Sequence, residues 1–191
     1  MRCRKGQFIQ GQYFHIYNHA INDELLFRED EDYIYFLEKF KLKLKKYPTS
    51  VFAYCLMPNH FHFLLRQDSN KPIYKIFNDL NNSYVPHYNF KYNRKGRLYR
   101  STLKHINIKK DNYLIYLCQY IHYNPVKAGL VKKISRWKYS NYLEWIGFRN
   151  SLLFNNEILT KYYNNSKEYI KQIEEHEKYM KNKDFNNLIF D

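Results

Sequence analysis

Two segments far apart in the chain carry side chains that could act on one substrate: His60-Phe61-His62 and Tyr120-Ile121-His122-Tyr123-Asn124. In a strand, residues two apart point the same way, with Cβ atoms roughly 6.5–7 Å apart, so two imidazoles at this spacing can converge on one cation. In a helix, residues four apart share a face, which sets the Tyr120 phenol beside the Asn124 amide. Two imidazoles plus one amide oxygen leave coordination positions open, as a catalytic divalent metal requires. A structural zinc site would want four ligands, usually with cysteine. A phenol of pKa ~10 is only about 0.1% ionised at pH 7, so it needs a cation nearby to attack phosphorus. Attack by Tyr120 would leave a covalent phosphotyrosine. These residue types suit phosphodiester chemistry on nucleic acid.

Each motif also has a plainer explanation. His-x-His alone is more often packing than a metal site. Tyr113, Leu117, Tyr120 and Ile121 would serve as the buried stripe of a helix, and Asn-Pro is an ordinary helix-ending signal. Charge weighs on the other side. The chain carries a net +14, and between Lys91 and Lys138 there are 13 Lys or Arg against one acid, Asp111. So one-sided a block repels itself unless something anionic lies on it, and nucleic acid is the default partner. Tyr88, Phe90, Tyr92 and Tyr99 interleave with these charges and favour single strands, whose bases stack on rings. Arg94, Lys95, Arg97, Arg100, Lys104, Lys127, Lys132 and Lys133 are the candidate DNA contacts.

Positioning these groups requires a particular order of elements. Phe14 to Ile21 reads as a strand. Asp30-Glu31-Asp32 opens a helix whose apolar positions Tyr33, Phe36, Leu37, Phe40 and Leu44 keep the helical period. Val51 to Met57 and His60 to Arg66 form a hairpin about Pro58-Asn59. A helix follows Pro72 and should kink or end at Pro86. Leu98 to Lys109 reads as a fourth strand, and Asn112 as the cap of a helix running from Tyr113 to about Asn124, stopped by Pro125. Strand, helix, strand, strand, helix, strand is the split βαβ, ferredoxin-like α+β plan, with helices on one face of an antiparallel sheet and the other face open. Phe61, Phe63 and Leu65 would lie under the helices and the histidines on the open face. Asn156–Tyr163 and Ser166–Lys181 show further helical patterns. The expected division is a domain over 1–147 followed by a helical extension over 148–191.

Composition excludes several classes. Tyr 21 and Phe 14 dominate the apolar content, so the interior is built largely of rings. No run approaches the ~20 apolar residues needed to cross a bilayer, which argues against a membrane protein. The basic start, Met1-Arg2-Cys3-Arg4-Lys5-Gly6, has no apolar stretch behind it, so a signal peptide is not expected. Cys3, Cys55 and Cys118 are scattered and odd in number, consistent with a reducing cytoplasm.

Met57-Pro58-Asn59-His60-Phe61-His62-Phe63-Leu64-Leu65 resembles the Pro-Asn-His-hydrophobic-His segment of the HUH single-tyrosine transposases, and within them most nearly the REP-associated tyrosine transposases. Tyr120-Ile121-His122-Tyr123-Asn124-Pro125-Val126-Lys127-Ala128-Gly129-Leu130-Val131 resembles the Tyr-Ile-x-x-Asn-Pro-Val stretch of that subgroup. Weaker matches are Leu26-Phe27-Arg28, Gly96-Arg97-Leu98-Tyr99 and Trp137-Lys138-Tyr139-Ser140-Asn141-Tyr142. The resemblance covers about 13–147. It implies a ferredoxin-like nuclease domain acting on single-stranded DNA, often beside a folded-back hairpin. Cleavage would depend on Mg²⁺ or Mn²⁺ and form a 5′-phosphotyrosine link with a free 3′-OH, as monomer or homodimer. It assigns the metal to His60, His62 and Asn124 and the nucleophile to Tyr120. Two departures touch neither metal nor nucleophile. Pro86 interrupts a helix that is usually continuous, and Tyr139-Ser140-Asn141 replaces most of a Trp-Ser-Ser segment.

Two other functions fit the residues less well. A non-catalytic or domesticated nucleic-acid-binding protein of the same fold would be expected to have lost Tyr120, Asn124 or a histidine. A metal hydrolase using water would cut without any covalent protein–DNA species.

Overall fold

The computed structural model describes residues 8–151 and 153–182. β1 (Tyr13–His19), α1 (Asp30–Lys46), β2 (Thr49–Met57), β3 (His60–Gln67), α2 (Tyr74–Lys91), β4 (Lys104–Ile108) and α3 (Asp111–Lys127) follow in the expected order. The four strands form one sheet in the order β2-β3-β1-β4, with every neighbouring pair antiparallel. This is the split βαβ, α+β arrangement.

Strand alternation divides the chain into two cores. Phe14, Ile16, Phe61, Phe63 and Leu65 pack with Phe36 and Phe40 of α1 and Ile76, Phe77, Leu80 and Tyr84 of α2. On the other face, Phe52, Cys55, Met57 and Leu64 pack with Leu114, Leu117 and Ile121 of α3. An irregularity between Val51 and Ala53 turns Phe52 toward this second core. The histidine face is therefore not open as expected. α3 has an apolar stripe of its own to bury, and β2 offers it a matching surface.

Four further expectations are corrected. Pro86 neither ends nor visibly breaks α2, which runs on to Lys91. Proline costs the carbonyl four residues earlier its donor, and both Pro86 and Asn82 are exposed, where water can replace that bond. Pro125 likewise sits inside the last turn of α3. The stop comes instead at Gly129, in left-handed conformation (φ 71), with Leu130 N–H donating to Pro125 O and Gly129 N–H to Val126 O. Finally, β4 starts only at Lys104, and α3 starts at Asp111 rather than after an Asn112 cap. Leu98–Thr102 runs past the end of β1 as a loop, joined to it by an Ala20–Tyr99 bridge.

After α3, residues Trp137–Asn141 lie along the outer edge of β2. The Leu56 N–H donates to Tyr139 O, the Trp137 indole N–H donates to Leu56 O, and Cys55 bridges Ser140. This covers an edge that would otherwise expose unpaired backbone. α4 (Tyr142–Trp145), α5 (Glu157–Tyr162) and α6 (Ser166–Asn182) complete the described chain. Ile158, Tyr163, Tyr169 and Ile173 belong to the same core as α3. Cys55 and Cys118 are buried free thiols, whereas Cys3 and the basic start lie outside the described residues. Among the described residues, no helix is long and apolar enough to cross a membrane.

Candidate active site

β1 and β3 bring a band of rings to one face of the sheet. The antiparallel register sets His19 opposite His60 and Tyr17 opposite His62. The His19 and His60 rings stack at 4.6 Å, and the His60 and His62 rings meet edge to face at 5.0 Å. His15, diagonal to His62, places its Nε2 3.0 Å from His62 Nδ1. His60 Nδ1 lies 2.7 Å from the Asn59 side-chain oxygen in the hairpin turn. Nδ1 is thus the engaged nitrogen of both His60 and His62, and Nε2 is the one each can offer a cation.

α3 supplies the roof. Its Tyr120 ring approaches His62 edge to face, with centroids 5.8 Å apart. Lys127, two turns on, holds its ammonium 5.6 Å from the centre of the Tyr120 ring. Asn124 is buried one turn after Tyr120, and its Nδ2 donates to the Tyr120 carbonyl at 2.8 Å. That commitment makes Oδ1 the atom Asn124 could present to a metal. His60 and His62 of β3 and Tyr120 of α3 thus come together from two segments far apart in the chain.

A second phenol, which sequence reasoning did not single out, also flanks His62. The Tyr17 ring stacks on it at 5.8 Å, and Lys104 holds its ammonium 5.5 Å from the centre of the Tyr17 ring. The signal was present in the alternation His15-x-Tyr17-x-His19, the counterpart on β1 of His60-x-His62 on β3.

Burial controls the charge of this cluster. It pushes His60 down to about 3, helped by the neighbouring His19 and Lys127. It pushes His62 far below the ordinary histidine range, again with neighbouring His15, His60 and Lys127 opposing a further positive charge. Both rings are neutral at physiological pH, the form that ligates a metal. Among the described residues, no three His, Cys, Asp or Glu side chains group as a metal site. Two neutral imidazoles and one carboxamide oxygen would make a donor set of another kind, suited in its chemistry to a divalent ion that keeps open positions.

The basic block divides into two kinds. Lys91, Arg94 and Lys138 are engaged within the protein: Lys91 with Glu29, Glu31 and Asp32, Arg94 with Glu24, and Lys138 with Asp30. Arg94 also donates to Asn89 Oδ1 and to the Arg97 carbonyl, which gives it a structural task within its loop. Lys95, Arg97, Arg100, Lys104, Lys127, Lys132 and Lys133 are exposed. Of these, Lys104 and Lys127 stand nearest the histidine–tyrosine cluster.

His122, also on α3, is turned away from the sheet histidines. Its Nδ1 lies 2.6 Å from the Tyr169 hydroxyl of α6 and its Nε2 3.0 Å from Asn141 Oδ1. Asn141 Nδ2 donates to Phe52 O at 2.8 Å, and its Oδ1 accepts from Tyr54 N–H at 2.7 Å. His122 therefore donates from Nε2 and accepts at Nδ1. This buried network ties α3 to β2 and α6.

Comparison with known proteins identifies the family and the fold. Residues 9–124 match the family described as IS200-like transposases, a span that includes His60, His62, Tyr120 and Asn124. A candidate REP-associated tyrosine transposase of Haemophilus influenzae is 29% identical over 123 residues, covering 58% of this chain and 69% of that protein. The solved structure of a REP-associated tyrosine transposase bound to a REP hairpin superposes with a TM-score of 0.65. It does so at 14% identity, over 81% of this chain and 98% of that one, and so attests the fold. The chain belongs to the IS200-like transposase family.

Proposed function

We propose that the protein cuts and rejoins single-stranded DNA through a covalent bond to Tyr120, at a divalent-metal site formed by His60, His62 and Asn124. The observation that carries this reading is the 5.8 Å approach of the Tyr120 ring to His62, across a cluster held neutral by burial. His60 and His62 would hold the ion through Nε2 and Asn124 through Oδ1. When bound, Mg²⁺ or Mn²⁺ supplies positive charge to the non-bridging phosphate oxygens and to the departing oxygen.

The chain's own residues do the rest. Tyr120 Oη gives up its proton and forms an O–P bond as the bond from phosphorus to the 3′ oxygen breaks. The 3′ oxygen leaves as a hydroxyl, and the 5′ phosphate stays on the tyrosine. Reversal with another 3′-OH rejoins strands without loss of the bond energy. Lys127 beside the Tyr120 ring favours negative charge on the phenol oxygen. The exposed Lys95, Arg97, Arg100, Lys104, Lys132 and Lys133 give the phosphate backbone its electrostatic track. The solved relative's REP hairpin supports a hairpin-bearing single strand as substrate.

The test is incubation of the protein with single-stranded hairpin DNA and Mn²⁺, followed by a denaturing gel. Wild type and Tyr17→Phe should yield a slowly migrating covalent species that EDTA prevents. Tyr120→Phe should bind the same DNA and yield none. Adducts formed by Tyr120→Phe but not by Tyr17→Phe would move the nucleophile to β1. Cleavage without any covalent species would establish a water-using hydrolase instead.

A further inference from the structure

The two histidines of the proposed metal site are held in unlike ways. His60 Nδ1 faces an amide oxygen, Asn59 Oδ1, at 2.7 Å. An oxygen can only accept, so His60 must carry its proton on Nδ1 and its Nε2 keeps a lone pair. His62 Nδ1 faces another imidazole, the Nε2 of His15, at 3.0 Å, with the two rings stacked 5.2 Å apart. That bond can run either way. With His62 as donor, His62 Nε2 has a lone pair for a cation. With His15 as donor, His62 Nε2 carries the hydrogen and cannot ligate.

We infer that His15 is a positioning residue for the metal site, accepting a hydrogen bond at Nε2 from His62 Nδ1–H and thereby holding His62 in the one tautomer that can bind a divalent cation. The geometry leaves His15 little other freedom. It is buried in β1, its ring stacks on Tyr17 at 4.9 Å, and its backbone is paired to Leu64 on one side and Ile106 on the other. Groups that bond the far nitrogen of a metal-bound histidine commonly change metal affinity by about tenfold to a hundredfold when removed. His15 stands in that relation to His62, and Asn59 in the same relation to His60.

The inference rests on the metal reading above, and the test separates the two. Mn²⁺ affinity is measured on the full chain without DNA, by titration followed with electron paramagnetic resonance, beside a thermal melt of each variant. His15→Phe keeps the ring and removes the acceptor, so its Mn²⁺ dissociation constant should rise about tenfold to a hundredfold. His15→Gln returns an acceptor near the position of Nε2 and should recover most of the affinity. A purely structural His15 would show both variants melting lower with unchanged Mn²⁺ binding, which would overturn the inference alone. A wild type that binds no Mn²⁺ would overturn the metal reading and the inference with it. Should His15→Phe fail to fold, nitrogen-15 shifts of His62 in the metal-free wild type decide. Hydrogen on Nδ1 supports the inference, and hydrogen on Nε2 overturns it.

Discussion

His62 and His122 are both buried and both held neutral, yet they are satisfied differently. His122 uses both ring nitrogens inside the protein, one toward Tyr169 and one toward Asn141. His62 has one nitrogen engaged by His15, while the Tyr120 ring stands against it. The His122 network closes within the protein, whereas the His62 cluster is the one proposed to hold the metal. Burial alone therefore does not separate a structural histidine from a proposed ligand; the partners of the two rings are what differ.

That contrast can be broken most severely by truncating each side in turn. His62→Ala should lower adduct formation on the order of a thousandfold with a smaller loss of stability than His122→Ala, since it breaks one ring hydrogen bond where His122→Ala breaks two. His122→Ala should do the reverse, because it leaves Asn141 Oδ1 and the Tyr169 hydroxyl short of a partner in the core. Chemical unfolding should show it less stable by about 2–4 kcal/mol, with adduct yield per folded molecule within about tenfold of wild type. Equal loss of stability in the two variants would erase the distinction.

Protonation offers a gentler probe. Burial holds His122 down to about 4 and His15 to about 3, so the folded protein resists protons that the unfolded chain accepts below about 6.5. Stability should therefore be level above pH 6.5 and fall as pH drops toward 4, by about 1.4 kcal/mol per pH unit for each such histidine. Urea unfolding at pH 7.5, 6 and 5 checks the slope, and His122→Gln should make it shallower. Stability that stays level or rises on acidification would contradict the assignment. The smallest expected effect is that of Tyr169→Phe, which removes one hydroxyl hydrogen bond and should cost about 1 kcal/mol in the same assay.

Much of the frame was legible in the sequence, and the reasons are local. Period-two alternation in His60-Phe61-His62-Phe63 puts the histidines and the phenylalanines on opposite faces whatever else the chain does. Tyr33, Phe36 and Phe40 announce α1 by their spacing, and Lys-rich turns mark its end. What was not legible depends on contacts between distant segments. That α3 would roof the histidines follows from matching apolar surfaces on β2, not from any feature of Leu114 or Leu117 alone. Proline was over-read at Pro86 and Pro125, where exposure or a helix end makes the missing bond cheap. Arg94 looked like any other basic residue until Glu24 appeared beside it. His15 and Asn141 were invisible as partners because a histidine or asparagine shows its role only through register, and one residue of slip would have reversed the faces.

The most direct test of the account is the site of covalent attachment. Trypsin should release α3 almost intact, since no Lys or Arg lies between Asp111 and Lys127, and that peptide holds Tyr113, Tyr116, Tyr120 and Tyr123. After reaction with single-stranded hairpin DNA and Mn²⁺, followed by nuclease trimming, tandem mass spectrometry should find the nucleotide mass on Tyr120 alone. Attachment to Tyr17 or to another tyrosine of α3, or a peptide that never gains mass while the DNA is cut, would contradict it.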